Sequence, residues 1–99
     1  MTDLEISKAL ALAIGWKPDD VQAYKYADRL EVWWFNDEDY DYDWRIFDYR
    51  DWNVIGPIAE KFDCFPYRNF REQWTTDWTE GGYAAPQKAI AMAVIGAKK

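Results

Sequence analysis

The chain predicts an α+β domain in which helices pack on an antiparallel β-sheet, and three observations predict it. A capped apolar helix opens the chain, two β-prone runs follow, and an alanine-rich apolar segment begins at Pro86. With 49% hydrophobic and 19% aromatic residues, the chain has ample apolar surface for a core and far too much for intrinsic disorder. Ninety-nine residues are room for a single domain spanning 1–99.

Thr2-Asp3-Leu4-Glu5 has the form of a capping box, with the Thr2 hydroxyl accepting an orphan amide and Glu5 reaching back to the Thr2 N–H. Leu4, Ile6, Leu10, Leu12 and Ile14 then build an apolar helix, and Gly15 is its natural stop. After the Pro18-Asp19-Asp20 turn, Val21–Tyr26 and Leu30–Phe35 read as a hairpin with a short polar break. Asn36 to Asp43 holds five carboxylates and two tyrosines, a density of like charge that predicts a loop or an exposed strand edge. Trp44–Phe47 is either a short strand or the approach to a helix. From Asp51 to Phe62 the apolar spacing is close to helical, but Gly56-Pro57 interrupts it. The helix is therefore either kinked there or starts near Pro57. Phe65–Trp78 reads as a second hairpin, Glu80-Gly81-Gly82 as a turn, and Pro86 as the first residue of a last helix ending at Gly96, with Lys98 and Lys99 suiting its C-terminal end. The order helix, strands, helix, strands, helix around one sheet suggests a three-layer, α/β/α sandwich-like arrangement.

Gly15-Trp16 after the first helix, Tyr49-Arg50-Asp51 leading to Glu60-Lys61-Phe62, and Ala85-Pro86-Gln87-Lys88-Ala89-Ile90 together resemble small phage proteins of the ABA-sandwich type. The resemblance implies a sheet layered between helices and a phage or prophage accessory protein. It implies no catalytic residues.

The formal charge is −6, and eight acids against two bases lie between Glu31 and Asp51, so that window holds all of it. This balance repels phosphates and anionic lipid, which argues against direct nucleic-acid binding and against membrane binding and favours a basic protein surface as partner. A single cysteine, Cys64, builds no disulfide framework and reads as a small buried hydrophobe. No apolar run is long enough to cross a bilayer and no signal pattern opens the chain, so a cytoplasmic location is expected, in the host bacterium if the protein is phage-encoded.

Catalysis is not expected. The chain has no histidine, the commonest general base and metal ligand. Its one serine, Ser7, sits inside the first helix without a nucleophile signature, and no phosphate loop is present. Asp37, Asp39 and Asp41 have the alternate spacing of a calcium loop, yet Tyr42 stands where its glycine belongs and Asp48 where its bidentate glutamate belongs, so no specific metal site and no cofactor is expected.

The candidate partner-binding residues are Asp37, Glu38, Asp39, Tyr40, Asp41, Tyr42 and Asp43. On an extended segment Asp37, Asp39, Asp41 and Asp43 share one side at intervals of roughly 6–7 Å, similar to the spacing of phosphates along a nucleic acid. Such a ladder would let the chain occupy the basic groove of a host nuclease or defence complex. The competing reading is that these acids only keep an edge strand soluble and unpaired, in a structural or self-associating protein. A small-ligand pocket lined by Trp and Tyr is a third class, without a phosphate-binding cluster to support it. Adjacent Trp33 and Trp34 must face opposite sides of a sheet. A two-sided sandwich makes Trp33, Trp34 and Trp44 core, which is the arrangement expected, with Tyr40 and Tyr42 exposed, whereas an open face would make an acid-rimmed aromatic patch a protein-binding surface.

Overall fold

A computed structural model of the protein describes residues 1–36, 38–79 and 81–97. Helix α1 covers Asp3–Ala13, strands β1, β2 and β3 cover Val21–Tyr24, Arg29–Asn36 and Asp41–Ile46, and helix α2 covers Trp52–Phe62. Two-residue strands β4 (Tyr67–Arg68) and β5 (Trp74–Thr75) precede helix α3 at Pro86–Ala97. The α+β class is the one the sequence predicts.

Local chemistry sets the helix ends. Both halves of the capping box form at Thr2, with Glu5 N–H donating to the Thr2 hydroxyl at 3.1 Å and Thr2 N–H to the Glu5 carboxylate at 3.2 Å. Gly15 takes φ +118°, where a side chain would be strained, and lets Trp16 N–H reach back to the Ala11 carbonyl. Helix α2 starts at Trp52, capped by the Asp51 carboxylate on Asn53 N–H at 2.9 Å, and runs through Pro57 rather than beginning there. Apart from its chain neighbours and its own helix backbone, no atom lies within 4 Å of where a Gly56 Cβ would be, so tertiary packing does not demand glycine. The preceding residue of a proline does suffer a clash at its Cβ in helical conformation, and glycine removes it. Because Pro57 still removes one helical hydrogen bond, Pro57→Ala is expected to raise the unfolding free energy by about 1 kcal/mol. Urea denaturation would read this as a higher midpoint at unchanged slope.

The strands form two sheets, not the single one expected. One is three-stranded and antiparallel in the order β1-β2-β3, and the other is the small β4-β5 hairpin. Helix α1 lies on β1 and β2, and α3 packs on α1, α2 and β5. Ile6 and Leu10 of α1, Leu30 and Val32 of β2, Ile55 of α2 and Ile90 of α3 join one core in which all six are at most 2% exposed. Ala89, Ala91 and Ala93 keep the buried faces of α3 slim, so neighbouring helices approach closely.

Buried Ser7 is accounted for by structure: its hydroxyl accepts the Tyr49 N–H at 3.1 Å and ties α1 to the β3–α2 connection. Cys64 is buried, as its sequence context predicts, and burial pushes its thiol pKa up. The Trp74 and Tyr83 backbones exchange hydrogen bonds of 2.8 Å in each direction, which closes the chain over the hairpin. No described helix is long and apolar enough to cross a membrane. Lys98 and Lys99 lie outside the described residues, as does Glu80 of the expected turn, of which Gly81 takes φ +87°.

Candidate protein-binding face

Register decides which side chains share a face. Phe47 N–H donates to the Leu30 carbonyl at 2.8 Å, and the pairing runs Glu31 with Ile46, Trp33 with Trp44 and Phe35 with Tyr42. Counting by alternation from the Leu30–Phe47 bond, these three pairs occupy the non-hydrogen-bonded positions, where cross-strand side chains come closest. The rings accordingly meet. Trp33 stacks on Tyr42 at 5.7 Å and 6°, Trp44 tilts against Trp33 at 5.1 Å, and Phe35 meets Tyr42 at 5.2 Å. Contacts of this kind add about 0.5–1.5 kcal/mol each beyond area burial.

The opposite side of the same strands carries Leu30, Val32 and Trp34. Leu30 and Val32 are buried, and Trp34 stacks on Trp16 at 5.4 Å. Trp16 also donates its indole N–H to the Trp33 carbonyl at 3.2 Å, pinning the end of α1 to the sheet. The helices thus share one face of the sheet, and the aromatic face is left open. Trp33 is 37% exposed, Phe35 41% and Tyr42 54%, with Tyr24 and Ile46 exposed beside them. This corrects the expectation that Trp33, Trp34 and Trp44 are core: Trp33 and Trp34 are exposed and Trp44 half-buried. Three helices over 99 residues suffice to cover one face of the sheet only.

The acidic stretch is placed as follows. Asp37 lies outside the described residues. Glu38, Asp39 and Tyr40 make the turn between β2 and β3, and Tyr40 is 85% exposed with φ +51°. Asp41, Tyr42 and Asp43 are exposed and belong to β3, a free edge of the sheet. The continuous zigzag of carboxylates expected from the sequence is therefore broken by the turn, and on β3 only Asp41 and Asp43 share a side.

Those two aspartates have a local task. The Asp41 carboxylate accepts Tyr42 N–H and the Asp43 carboxylate accepts Trp44 N–H, both at 2.8 Å. By the same alternation these amides point away from β2, toward the open edge. Each aspartate thus satisfies an edge donor that would otherwise invite another strand.

A second charged cluster lies at the far end of the hairpin. Arg50 holds the Asp48 carboxylate at 2.8 Å and the Asp3 carboxylate at 3.1 Å, with Asp28 at 3.9 Å. Its hydrogen bonds hold the Asp48 carboxyl below its usual pKa. The Tyr49 hydroxyl donates to Asp3, and burial together with that carboxylate drives its pKa well above the ordinary value. Asp48 contributes stability that is present above the unfolded carboxyl pKa of about 4 and is lost as pH falls through the folded value. Asp48→Asn is accordingly expected to lower the urea midpoint at pH 6, with the gap to the parent narrowing as pH falls below about 4. A gap that persists at low pH would mean that the loss is one of packing.

Sequence reasoning named Tyr42 and the acids as candidates and an aromatic patch as an alternative, but not which rings meet, because pairing register is non-local. Comparison with protein-family models, curated proteins and solved structures finds no match.

Proposed function

We propose that this chain is a non-enzymatic binding protein that engages a basic protein surface through the β2–β3 hairpin. The observation that carries the reading is the ladder Trp44–Trp33–Tyr42–Phe35, half-buried at Trp44 and exposed at the other three, adjoining a turn that presents Glu38, Asp39 and Tyr40. Exposed, contiguous aromatics at the centre of a patch are the usual anchors of protein interfaces. Acids at its margin raise the association rate with a positive partner and disfavour acidic ones. Tyr40 adds a further indication: a tyrosine in left-handed conformation costs about 1–2 kcal/mol that a glycine would avoid, and its ring is held out into solvent. The resemblance to phage proteins makes a phage accessory factor acting on a host or phage protein the setting, with a nuclease or defence complex as one class of target.

One observation favours a second reading, a structural or self-associating protein whose acids provide solubility: Asp41 and Asp43 are occupied with edge amides.

A tagged pull-down from bacterial lysate, run at low and high salt and analysed by mass spectrometry, separates the two. The binding reading expects a basic partner whose capture weakens steeply with salt. It also expects that capture to fall when Glu38, Asp39, Asp41 and Asp43 become Gln or Asn, which keep the oxygen acceptors and hence the fold. Recovery of the chain alone, unchanged by salt, would replace this reading with the structural one.

A further inference from the structure

The helix-facing side of the sheet holds a different feature. Helix α2 packs on α3 and leaves a groove of about 700 Å³ between itself, the sheet and the end of α1. Trp16 and Trp34 line its sheet side and Val54 and Ile58 its helix side. Its volume lies in the range of small-molecule sites, and its walls are mainly apolar and aromatic.

Its charge runs against that of the molecule. In a chain of net charge −6, this groove is lined by Arg45 from the sheet and Lys61 from α2. The Arg45 guanidinium lies over the Trp34 ring at 5.7 Å and Lys61 Nζ over the Phe62 ring at 5.7 Å. Among the described residues neither has a carboxylate within ion-pair distance, whereas Arg29 and Arg50 both do. The one acid lining the groove, Asp51, has its carboxylate engaged in capping α2.

We propose that this groove binds a small organic anion with an apolar body, its anionic group neutralised by Arg45 and Lys61 and its body lying between Trp34 and Ile58. Arg45 and Lys61 are exposed, and resting on aromatic rings holds both cations in place for an anion. Apart from Ile46, which borders both, the groove is separate from the open aromatic face on the other side of the sheet.

The test titrates the whole chain with 2-naphthoate and with decanoate, and with the uncharged alcohols of the same frames, by calorimetry and by NMR of the indole N–H groups. At least one acid is expected to bind saturably at one site and at least tenfold more tightly than its alcohol. Shifts are expected at Trp16 and Trp34 rather than at Trp33 and Trp44. Arg45→Gln combined with Lys61→Gln should weaken the acid at least tenfold and leave the alcohol unchanged, and Val54→Trp, at a half-buried position, should block both. A preference for naphthoate or for decanoate assigns an aromatic or an acyl frame. Absence of saturation by both acids overturns the proposal, as do equal affinities of acid and alcohol, or shifts confined to Trp33 and Trp44. If Val54→Trp fails to fold, the indole shifts and the charge variants still decide.

Discussion

Ile90→Ala is expected to lower the unfolding free energy by about 3 kcal/mol, and Ile90→Asp to leave no cooperative unfolding transition. Ile90 is fully buried on α3, the helix that touches α1, α2 and β5, so nothing can relax into the space that truncation opens without moving three elements. A domain of this size has only about 5–15 kcal/mol of stability in all. Removing three methylene-sized groups takes a large share of that, and an unpaired carboxylate at the same place takes more than remains. Urea denaturation followed by far-ultraviolet circular dichroism checks both. A loss below about 1 kcal/mol for the alanine variant would mean that α3 is not the centre of the core.

The second large effect is on binding. Trp33→Ala combined with Trp44→Ala is expected to leave the chain folded, at a stability cost of about 1–3 kcal/mol from the lost cross-strand contacts, and to reduce partner capture by at least about 100-fold. The residues differ from Ile90 because they stand on the open face, so their truncation leaves a shallow surface instead of a cavity. The acid-to-amide variant should behave differently, slowing association and flattening the salt dependence while leaving dissociation nearly unchanged. Surface plasmon resonance with the captured partner separates the two rates. Undiminished capture by the double tryptophan variant would remove the aromatic ladder from the interface and leave the acids alone as the determinant.

What was legible in the sequence was what depends on neighbours a few residues apart. The capping box at Thr2, the stop at Gly15, the first-turn proline of α3 and the antiparallel pairing of β1 with β2 follow from hydrogen-bonding needs and periodicities confined to one or two turns of chain. So did the α+β class, the burial of Cys64 and the opposed faces of Trp33 and Trp34. The run of Gly56 and Pro57 was legible only as an ambiguity. Asp51 decides it, since its cap starts the helix at Trp52 and α2 then continues through Pro57.

Tertiary structure decided the rest. Whether Trp33 is core or surface depends on which side of the sheet the helices take, and that follows from Trp16 docking on Trp34 and from α3 packing among α1, α2 and β5. The turn at 38–40 decided that the acids of the hairpin do not form one line, and the free edge of β3 gave Asp41 and Asp43 backbone amides to satisfy. The groove holding Arg45 and Lys61 exists only because α2 leans on α3 and stands off the sheet. Hydrophobicity along a chain states that a side chain will be covered where cover exists. Where the cover runs out is a property of how few helices a chain of this length can lay over a three-stranded sheet, and no local pattern records it.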